Sequence, residues 1–191
     1  MDSTRCFLAV QISPNIRRQA EKLVRTLSAS SADVKWVEPE NLHITTNFLG
    51  DVTGQDVVDI SRATIEIAAR HPVFSLELIG TGAFPDVDNP RTLWIGARQG
   101  AEELIALQED LTEKLASIGF PPDSRKKYHP HLTLGRMKRF SREVATLKTL
   151  LHENADTPIG ETPVTEVVIH ASKLDRNGPK YTLIGRGKLG G

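Results

Sequence analysis

Two short stretches of the sequence repeat one arrangement of chemically active side chains. A single apolar residue separates histidine from threonine at His43 and Thr45, and again at His131 and Thr133. The ordinary pKa of imidazole lies near neutrality, so one such ring takes up a proton while a second gives one away. Threonine hydroxyls donate hydrogen bonds to phosphoryl oxygens. Two imidazoles and two hydroxyls around one groove would therefore suit proton transfer at a phosphate group.

The spacing has a simple structural meaning if both motifs lie on strands. Side chains at positions i and i+2 of a strand point to the same face, about 7 Å apart. His43 then shares a face with Thr45, and His131 shares a face with Thr133. If the two strands lie side by side or face each other across a groove, all four side chains converge on one site.

Other interpretations of the histidines stay open at this level. A histidine on a strand is more often structural than catalytic, and threonine is common in strands. We interpret His170, which lies in a near-copy of the motif, as structural, and His71 and His152 as surface or capping residues near helix ends. His129 and His131 would also serve as a pair of metal ligands. No acidic or further histidine cluster accompanies that pair, so metal is the minor interpretation.

The composition limits the class of protein. The chain has 191 residues, 39% hydrophobic and 25% charged, as expected for a soluble globular domain. Its 24 basic residues equal its 24 acidic residues, so any contact with nucleic acid depends on a local basic patch. The lone Cys6 excludes an internal disulfide and a cysteine-based metal site. The first residues lack the pattern of a signal peptide, and no apolar run approaches the roughly 18 residues of a membrane span. We expect a cytoplasmic monomer with no membrane partner.

The hydrophobic pattern and the turn signals predict alternating strands and helices. Helices are predicted over 14–29, 55–70, 102–119 and 142–155, and strands over 6–12, 34–37, 41–50, 74–85, 91–97, 128–137, 162–174 and 180–187. In each half of the chain a helix leads to a strand that carries the motif. We expect an α+β fold that is bilobal, with two pseudo-symmetric lobes of mostly antiparallel sheet, outer helices and an active-site groove between the lobes. No linker-like segment separates the halves, so residues 1–191 are predicted to form a single domain.

These motifs and several longer blocks resemble the 2H phosphoesterases, and within them the RNA 2',3'-cyclic phosphodiesterases, also called 2'-5' RNA ligases. That family is defined by two His-x-Thr/Ser-x motifs, which here read HITT at 43–46 and HLTL at 131–134. The blocks KWVEPENLHIT, GTGAFPDVDNPRTLWIGA, YHPHLTLGR and SKLDRNGPKYTLIGR also resemble the family, so the resemblance covers nearly the whole chain. The sequence departs from the pattern at Thr46, usually apolar in the family, and at Asn47, often basic. These departures leave substrate preference open, not the chemistry.

The resemblance implies metal-independent hydrolysis of RNA or nucleotide 2',3'-cyclic phosphate ends to 2'-phosphomonoesters, with no cofactor. It implies His43 as the proton donor to the leaving 3'-oxygen and His131 as the base that activates water. Thr45 and Thr133 would hold the phosphoryl oxygens as charge builds in the transition state. The alternatives are ATP-independent 2'-5' RNA ligation, the reverse reaction, and non-catalytic binding of RNA ends. Paired histidines argue against binding alone, which favours permanently charged Arg or Lys.

A local excess of positive charge surrounds the second motif. From 124 to 142 the sequence has no acidic residue before Glu143 and seven basic ones: Arg125, Lys126, Lys127, Arg136, Lys138, Arg139 and Arg142. A solvated surface explains most of them equally well. Arg136 is the candidate substrate-binding residue, although its offset from Thr133 places it on the opposite face unless a bulge turns it inward. Phe48, Tyr128 and Phe84 are candidates for stacking on a terminal base, and each fits a core position equally well.

Overall fold

The computed structural model describes residues 3–122, 127–138, 144–175 and 178–190. Its helices are α1 (Pro14–Ser28), α2 (Gly54–Ala68), α3 (Ala101–Ser117) and α4 (Val144–Glu153). Its strands are β1 (Thr4–Gln11), β2 (Val34–Trp36), β3 (His43–Val52), β4 (Phe74–Phe84), β5 (Thr92–Ala97), β6 (His131–Met137), β7 (Pro158–Val164), β8 (Glu166–Asp175) and β9 (Gly178–Lys188). A 3-10 turn over Pro39–Asn41 leads into β3. The predicted elements are present, with ends shifted by up to three residues, except for the segment 162–174.

The strands form two sheets. The first sheet has the order β3-β1-β8-β9, and the second has the order β2-β6-β5-β4-β7. Each strand runs antiparallel to its neighbours in both orders. Helix α2 packs on β8 and β9, α1 packs on β7, α4 packs on β4, and α3 contacts β3 and β4. The predicted α+β class, with two antiparallel sheets and outer helices, is confirmed.

Helix α1 shows how the local sequence sets these elements. The Ser13 hydroxyl accepts a hydrogen bond from the backbone N–H of Ile16, and Pro14 occupies the first turn, where its missing N–H costs nothing. The apolar face that the spacing predicts is the buried face: Ile16, Ala20, Leu23 and Leu27. No helix in the described part of the chain is long and apolar enough to cross a membrane.

The two sheets share one hydrophobic core because the chain passes between them. Helix α1 follows β1 of the first sheet and packs on β7 of the second sheet. One cluster of buried side chains includes Leu8 of β1, Leu93 of β5 and Leu132 of β6, each with no exposed surface. A close-packed core resists small displacements of its side chains. The shared core therefore holds the two sheets in a defined relative position.

The segment 162–174, predicted as one strand, is two strands in different sheets. Strand β7 ends at Val164 and pairs with β4, whereas β8 starts at Glu166 and pairs with β1 and β9. The prediction was wrong because only Thr165 and Glu166 separate the apolar end of β7 from the apolar start of β8, and no turn signal stands between them. An apolar pattern carries no information about which sheet a strand joins. The predicted hairpin of β8 and β9 is present. The start of the helix predicted at 142–155 lies outside the described residues.

Gly135 in β6 provides the test of this packing. A Cβ atom there would lie 2.7 Å from Cγ1 of Val34 and 2.9 Å from Cε3 of Trp36, both on β2. We predict that Gly135→Ala lowers the free energy of unfolding by about 1–3 kcal/mol, because β2 must move away from β6. The measurement is urea denaturation followed by circular dichroism. Gly54→Ala is the matched control, since a Cβ atom at Gly54 meets no atom within 4 Å. Equal unfolding midpoints for the two variants would contradict the prediction.

Candidate active site

The two motifs lie on neighbouring strands of different sheets, close enough for the charge of His131 to act on His43. His43 and Thr45 are on β3, and His131 and Thr133 are on β6. Strands β3 and β6 contact each other. The intervening Ile44 and Leu132 are fully buried, whereas the four motif side chains are partly exposed. The alternation expected of the two strands is therefore present in both.

A β-bulge follows the threonine in each motif. Strand β3 contains one more residue than β1 at Thr46, and β6 contains one more than β5 at Leu134. A bulge shifts the alternation by one residue. Phe48 and Arg136, each five residues after its histidine, consequently return to the histidine face, and both are exposed. This is the bulge that the sequence required to turn Arg136 inward.

Hydrogen bonds define the tautomer of both imidazoles. Nδ1 of His43 lies 2.7 Å from the carbonyl oxygen of Asn41, and Nδ1 of His131 lies 2.7 Å from the carbonyl oxygen of His129. A carbonyl only accepts, so Nδ1 carries the proton and donates it in each ring. The lone pair of the neutral ring is then on Nε2. Nε2 of His43 lies 3.0 Å from the Thr45 hydroxyl, which donates to it.

Burial lowers the pKa of both imidazoles. The pKa of His43 falls from 6.5 to about 4, mainly through loss of solvent, with smaller effects from the charges of His170 and His131. Burial also lowers the pKa of His131, and the charges of His129 and Arg136 lower it further. Both rings are therefore neutral at pH 7 in the free protein. A bound anion would favour the protonated form of one of them.

Arg136 faces the same groove as these rings. Its charge acts on His131 in the second sheet. Burial raises the pKa of Tyr181 in the first sheet, and the charge of Arg136 opposes that rise. One guanidinium thus lies within electrostatic reach of side chains on both walls.

Aromatic side chains hold the two histidines. The Phe7 ring stacks on His43 at a centroid distance of 4.8 Å, and Tyr181 meets His43 edge-on at 5.3 Å. Phe84 meets His131 edge-on at 5.0 Å. Sequence reasoning missed Phe7 and Tyr181, because neither belongs to a motif and both reach the site through pairing between distant strands. His170, interpreted as structural, stacks on Phe7 at 5.3 Å and lies 6.3 Å from the His43 ring.

The three stacking candidates differ in exposure. The Tyr128 hydroxyl donates to the backbone carbonyl of Thr45 at 3.0 Å, and its ring packs against the core. Tyr128 therefore links the segment before β6 to β3 and does not offer an open face. Phe84 is half-buried and packs on Trp94. Phe48 is 66% exposed and is the candidate whose ring is available to a ligand.

The basic stretch is only partly described. Arg125, Lys126, Arg139 and Arg142 lie outside the described residues. Lys127 is exposed, and Lys138 forms an ion pair with Asp33 at 2.8 Å. Arg136 is thus the basic side chain of this stretch that the described structure brings to the histidines.

The described residues offer no ready metal site. Over the ranges 3–122, 127–138, 144–175 and 178–190, no three His, Cys, Asp or Glu side chains are grouped to hold a metal ion. His129 and His131 lie with their rings nearly parallel and their centroids 6.4 Å apart. The pair has no third ligand within the described structure.

Comparison with known proteins places this site in a family. Residues 10–94 and 95–181 match, one after the other, the family described as LigT like Phosphoesterase. The protein of Aquifex aeolicus (strain VF5) named RNA 2',3'-cyclic phosphodiesterase is 34% identical over 191 residues, 100% of this chain and 100% of that protein. The crystal structure of TT0787 of Thermus thermophilus matches with a TM-score of 0.83 at 26% identity and covers 98% of each chain. The structure of E. coli LigT complexed with 3'-AMP matches with a TM-score of 0.73 at 27% identity, over 98% of this chain and 99% of that chain. The chain therefore belongs to the LigT-like phosphoesterases, within the 2H phosphoesterases that its two motifs resemble.

Proposed function

We propose that the protein hydrolyses the 2',3'-cyclic phosphodiester at RNA or nucleotide ends to a 2'-phosphomonoester, without a metal ion. The arrangement of the two imidazoles is the observation that carries the proposal. Each ring has Nδ1–H bound to a carbonyl, which leaves the lone pair on Nε2 for proton transfer, and each has a threonine two residues further on. In the free protein the Thr45 hydroxyl donates to Nε2 of His43, and substrate would take its place. The relative from Aquifex aeolicus bears the name of this activity.

The reaction needs a base and an acid on opposite sides of phosphorus. Water attacks in line with the departing 3'-oxygen, so one group removes a proton from water while another gives a proton to that oxygen. Following the family resemblance, we assign the first role to Nε2 of His131 and the second to Nε2 of His43. The Thr45 and Thr133 hydroxyls donate to the phosphoryl oxygens, and Arg136 stabilises the charge that builds on them.

The lowered pKa values suit an anionic substrate. The groove by itself disfavours a charged imidazole because the rings are withdrawn from water. A phosphodiester anion between the rings reverses this preference for one of them. Substrate binding thereby brings the groove to the singly protonated state that acid–base catalysis needs.

Nucleotide recognition fits the face of the first sheet. Phe48 offers an exposed ring beside Phe7, with the ring centroids 6.4 Å apart. Stacking on an aromatic ring is worth about 1–3 kcal/mol per base and tolerates any base. E. coli LigT has been crystallised with 3'-AMP, so we propose a nucleotide or an RNA end as the ligand of this groove. Cys6 is a free, buried thiol, which suits a reducing compartment, and we extend the proposal to a cytoplasmic location.

The deciding experiment is incubation with an oligonucleotide 2',3'-cyclic phosphate, with the product isomer read by phosphorus NMR. A 2'-phosphomonoester supports hydrolysis with the 3'-oxygen as the leaving group. Adding an RNA with a 5'-hydroxyl end tests 2'-5' ligation, in which that hydroxyl replaces water. If neither assay gives a product but the protein still binds the RNA, the remaining hypothesis is a module that binds RNA ends without catalysis.

Replacement of either motif histidine by alanine provides the first activity test. We predict that His43→Ala and His131→Ala each lower kcat by about 10²–10⁴, the usual contribution of one general acid or base. Binding of the cyclic phosphate should weaken much less, and the double variant should be far from additive because the two rings act together. His152→Ala is the matched control, since His152 is exposed at the end of α4. An equal loss in the control would contradict the assignment.

The pH dependence of kcat/KM tests the protonation scheme. The active free enzyme holds one proton on the pair of imidazoles, so its population falls when a second proton binds and when the last one leaves. With the pKa of His43 at about 4 and that of His131 below 6.5, we predict a bell whose maximum lies on the acidic side of pH 6.5. Because bound phosphate favours protonation, the basic limb of kcat should lie at higher pH than that of kcat/KM. A rate that rises steadily to about pH 9 would point instead to another base or a metal hydroxide.

Chelation tests metal independence. We predict that activity survives prolonged treatment with EDTA, because two imidazoles carry out both proton transfers. Initial rates before and after dialysis against EDTA provide the measurement. Loss of activity that one specific divalent ion restores would make His129 and His131 metal ligands.

A further inference from the structure

Asn41 forms two hydrogen bonds, one to the His43 ring and one to strand β9. Its backbone carbonyl accepts the Nδ1–H of His43 at 2.7 Å. Its side-chain Nδ2 donates to the backbone carbonyl of Pro179 at 3.1 Å. Asn41 ends the 3-10 turn, where its own N–H donates to the carbonyl of Glu38 at 2.8 Å. One residue thus supplies two groups: the backbone carbonyl that fixes the tautomer of His43, and the side-chain amide that bonds to β9.

The bond to Pro179 joins distant parts of the first sheet. Strands β3 and β9 are its two outer strands. Asn41 precedes the start of β3, whereas strand pairing through β1 and β8 places Tyr181 level with Asp51, near the end of β3. These positions are diagonal corners of the sheet. The twist of a sheet carries diagonal corners to the same side, and here the hydrogen bond from Asn41 to Pro179 joins them.

This closure covers His43. Tyr181 follows Pro179 by two residues and meets the His43 ring edge-on at 5.3 Å. Phe7 lies beneath both rings, 4.8 Å from His43 and 5.0 Å from Tyr181. Asn41, Pro179, Tyr181 and His43 all line one cavity of about 600 Å³. The hydrogen bond from Asn41 therefore holds the strand that shields the ring from water.

We propose that Asn41 is a positioning residue for the proposed reaction. Its amide anchors the hairpin of β8 and β9 over His43, and its carbonyl keeps that ring in the Nδ1–H form with Nε2 towards the phosphate. Without the amide, the Pro179 carbonyl loses this donor and the hairpin loses an anchor beside the ring.

Solvent entry has a defined effect on the ring. Burial is the largest cause of the low pKa of His43, and the hydrogen bond to the Asn41 carbonyl opposes it. The charges of His170 on β8 and His131 on β6 act in the same direction as burial. Tyr181 is the titratable group that faces the ring from β9. Loosening the hairpin restores water to the ring and leaves the two histidines in place. The pKa of His43 should therefore rise from about 4 towards its ordinary value.

The test compares Asn41→Asp and Asn41→Ala. Aspartate keeps the size and shape of the side chain and removes the N–H donor, but it adds a negative charge that raises the pKa of a nearby imidazole by itself. Alanine removes the whole side chain without adding charge, so the His43 titration of the alanine variant is the one that reports loss of cover. We expect both variants to lower kcat by about 10- to 100-fold with little change in KM, as for a misplaced catalytic group. Proton–nitrogen NMR of the imidazoles should show the His43 titration moved to higher pH. Asn15→Asp and Asn15→Ala are the matched controls, because Asn15 is an exposed asparagine on α1 that does not line this cavity.

Two results would overturn the proposal. One is an unchanged kcat and an unchanged His43 titration in folded Asn41 variants. The other needs no variant: an Nε2–H tautomer for His43 in the NMR spectrum of the unaltered protein. Because the NMR measurement needs no substrate, it also separates the two proposals. A protein that turns over no cyclic phosphate, yet shows the expected His43 titration in the variants, would refute the proposed function and retain the positioning role.

Discussion

The hydrogen bond from each imidazole Nδ1 to the carbonyl two residues earlier is the interaction on which the site depends. It requires that the carbonyl point along the strand towards the ring, with a lone pair open to the Nδ1–H. Before His43, the Asn41 carbonyl lies at the end of a 3-10 turn, and the following N–H bonds back to Pro39. Before His131, Pro130 has no N–H and favours an extended backbone at His129. Different local structures thus present the same acceptor to the two rings.

The two halves share this device and differ in the chemistry around it. Both strands place a bulge after the threonine, and both then turn the residue five positions after the histidine back to the groove. That residue is Phe48 in one half and Arg136 in the other. The backbone around the two motifs is pseudo-symmetric, but the side chains are not. One motif presents an apolar ring and the other presents a guanidinium. A nucleotide has the same asymmetry, with a flat base at one end and an anion at the other.

Most of the fold followed from local sequence patterns, whereas the support of the site did not. The His-x-Thr alternation and the buried face of α1 depend on residues within a few positions of each other. The need for a bulge at Arg136 was also visible, because its offset from Thr133 conflicts with a regular strand. The split between β7 and β8, and the approach of Phe7, Tyr181 and Asn41 to His43, depend on which distant strands pair and how the sheet twists. Such pairings leave no periodic signal in the sequence.

Burial of the two histidines also determines which class of ligand can react in the groove. An imidazole must first be protonated before it can act as an acid. Burial disfavours the imidazolium, so the ring does not act as an acid towards a neutral ligand. An anion placed between His43 and His131 changes this balance, and the positive charge of Arg136 helps to hold that anion while itself disfavouring a proton on His131. Arg136 therefore opposes a proton on His131, whereas burial, which lowers the pKa of His43 to about 4, opposes one on His43, so the position of the bound anion decides which ring is protonated. The charges of the substrate and of Arg136 thus break the symmetry between two rings that the backbone holds in the same way.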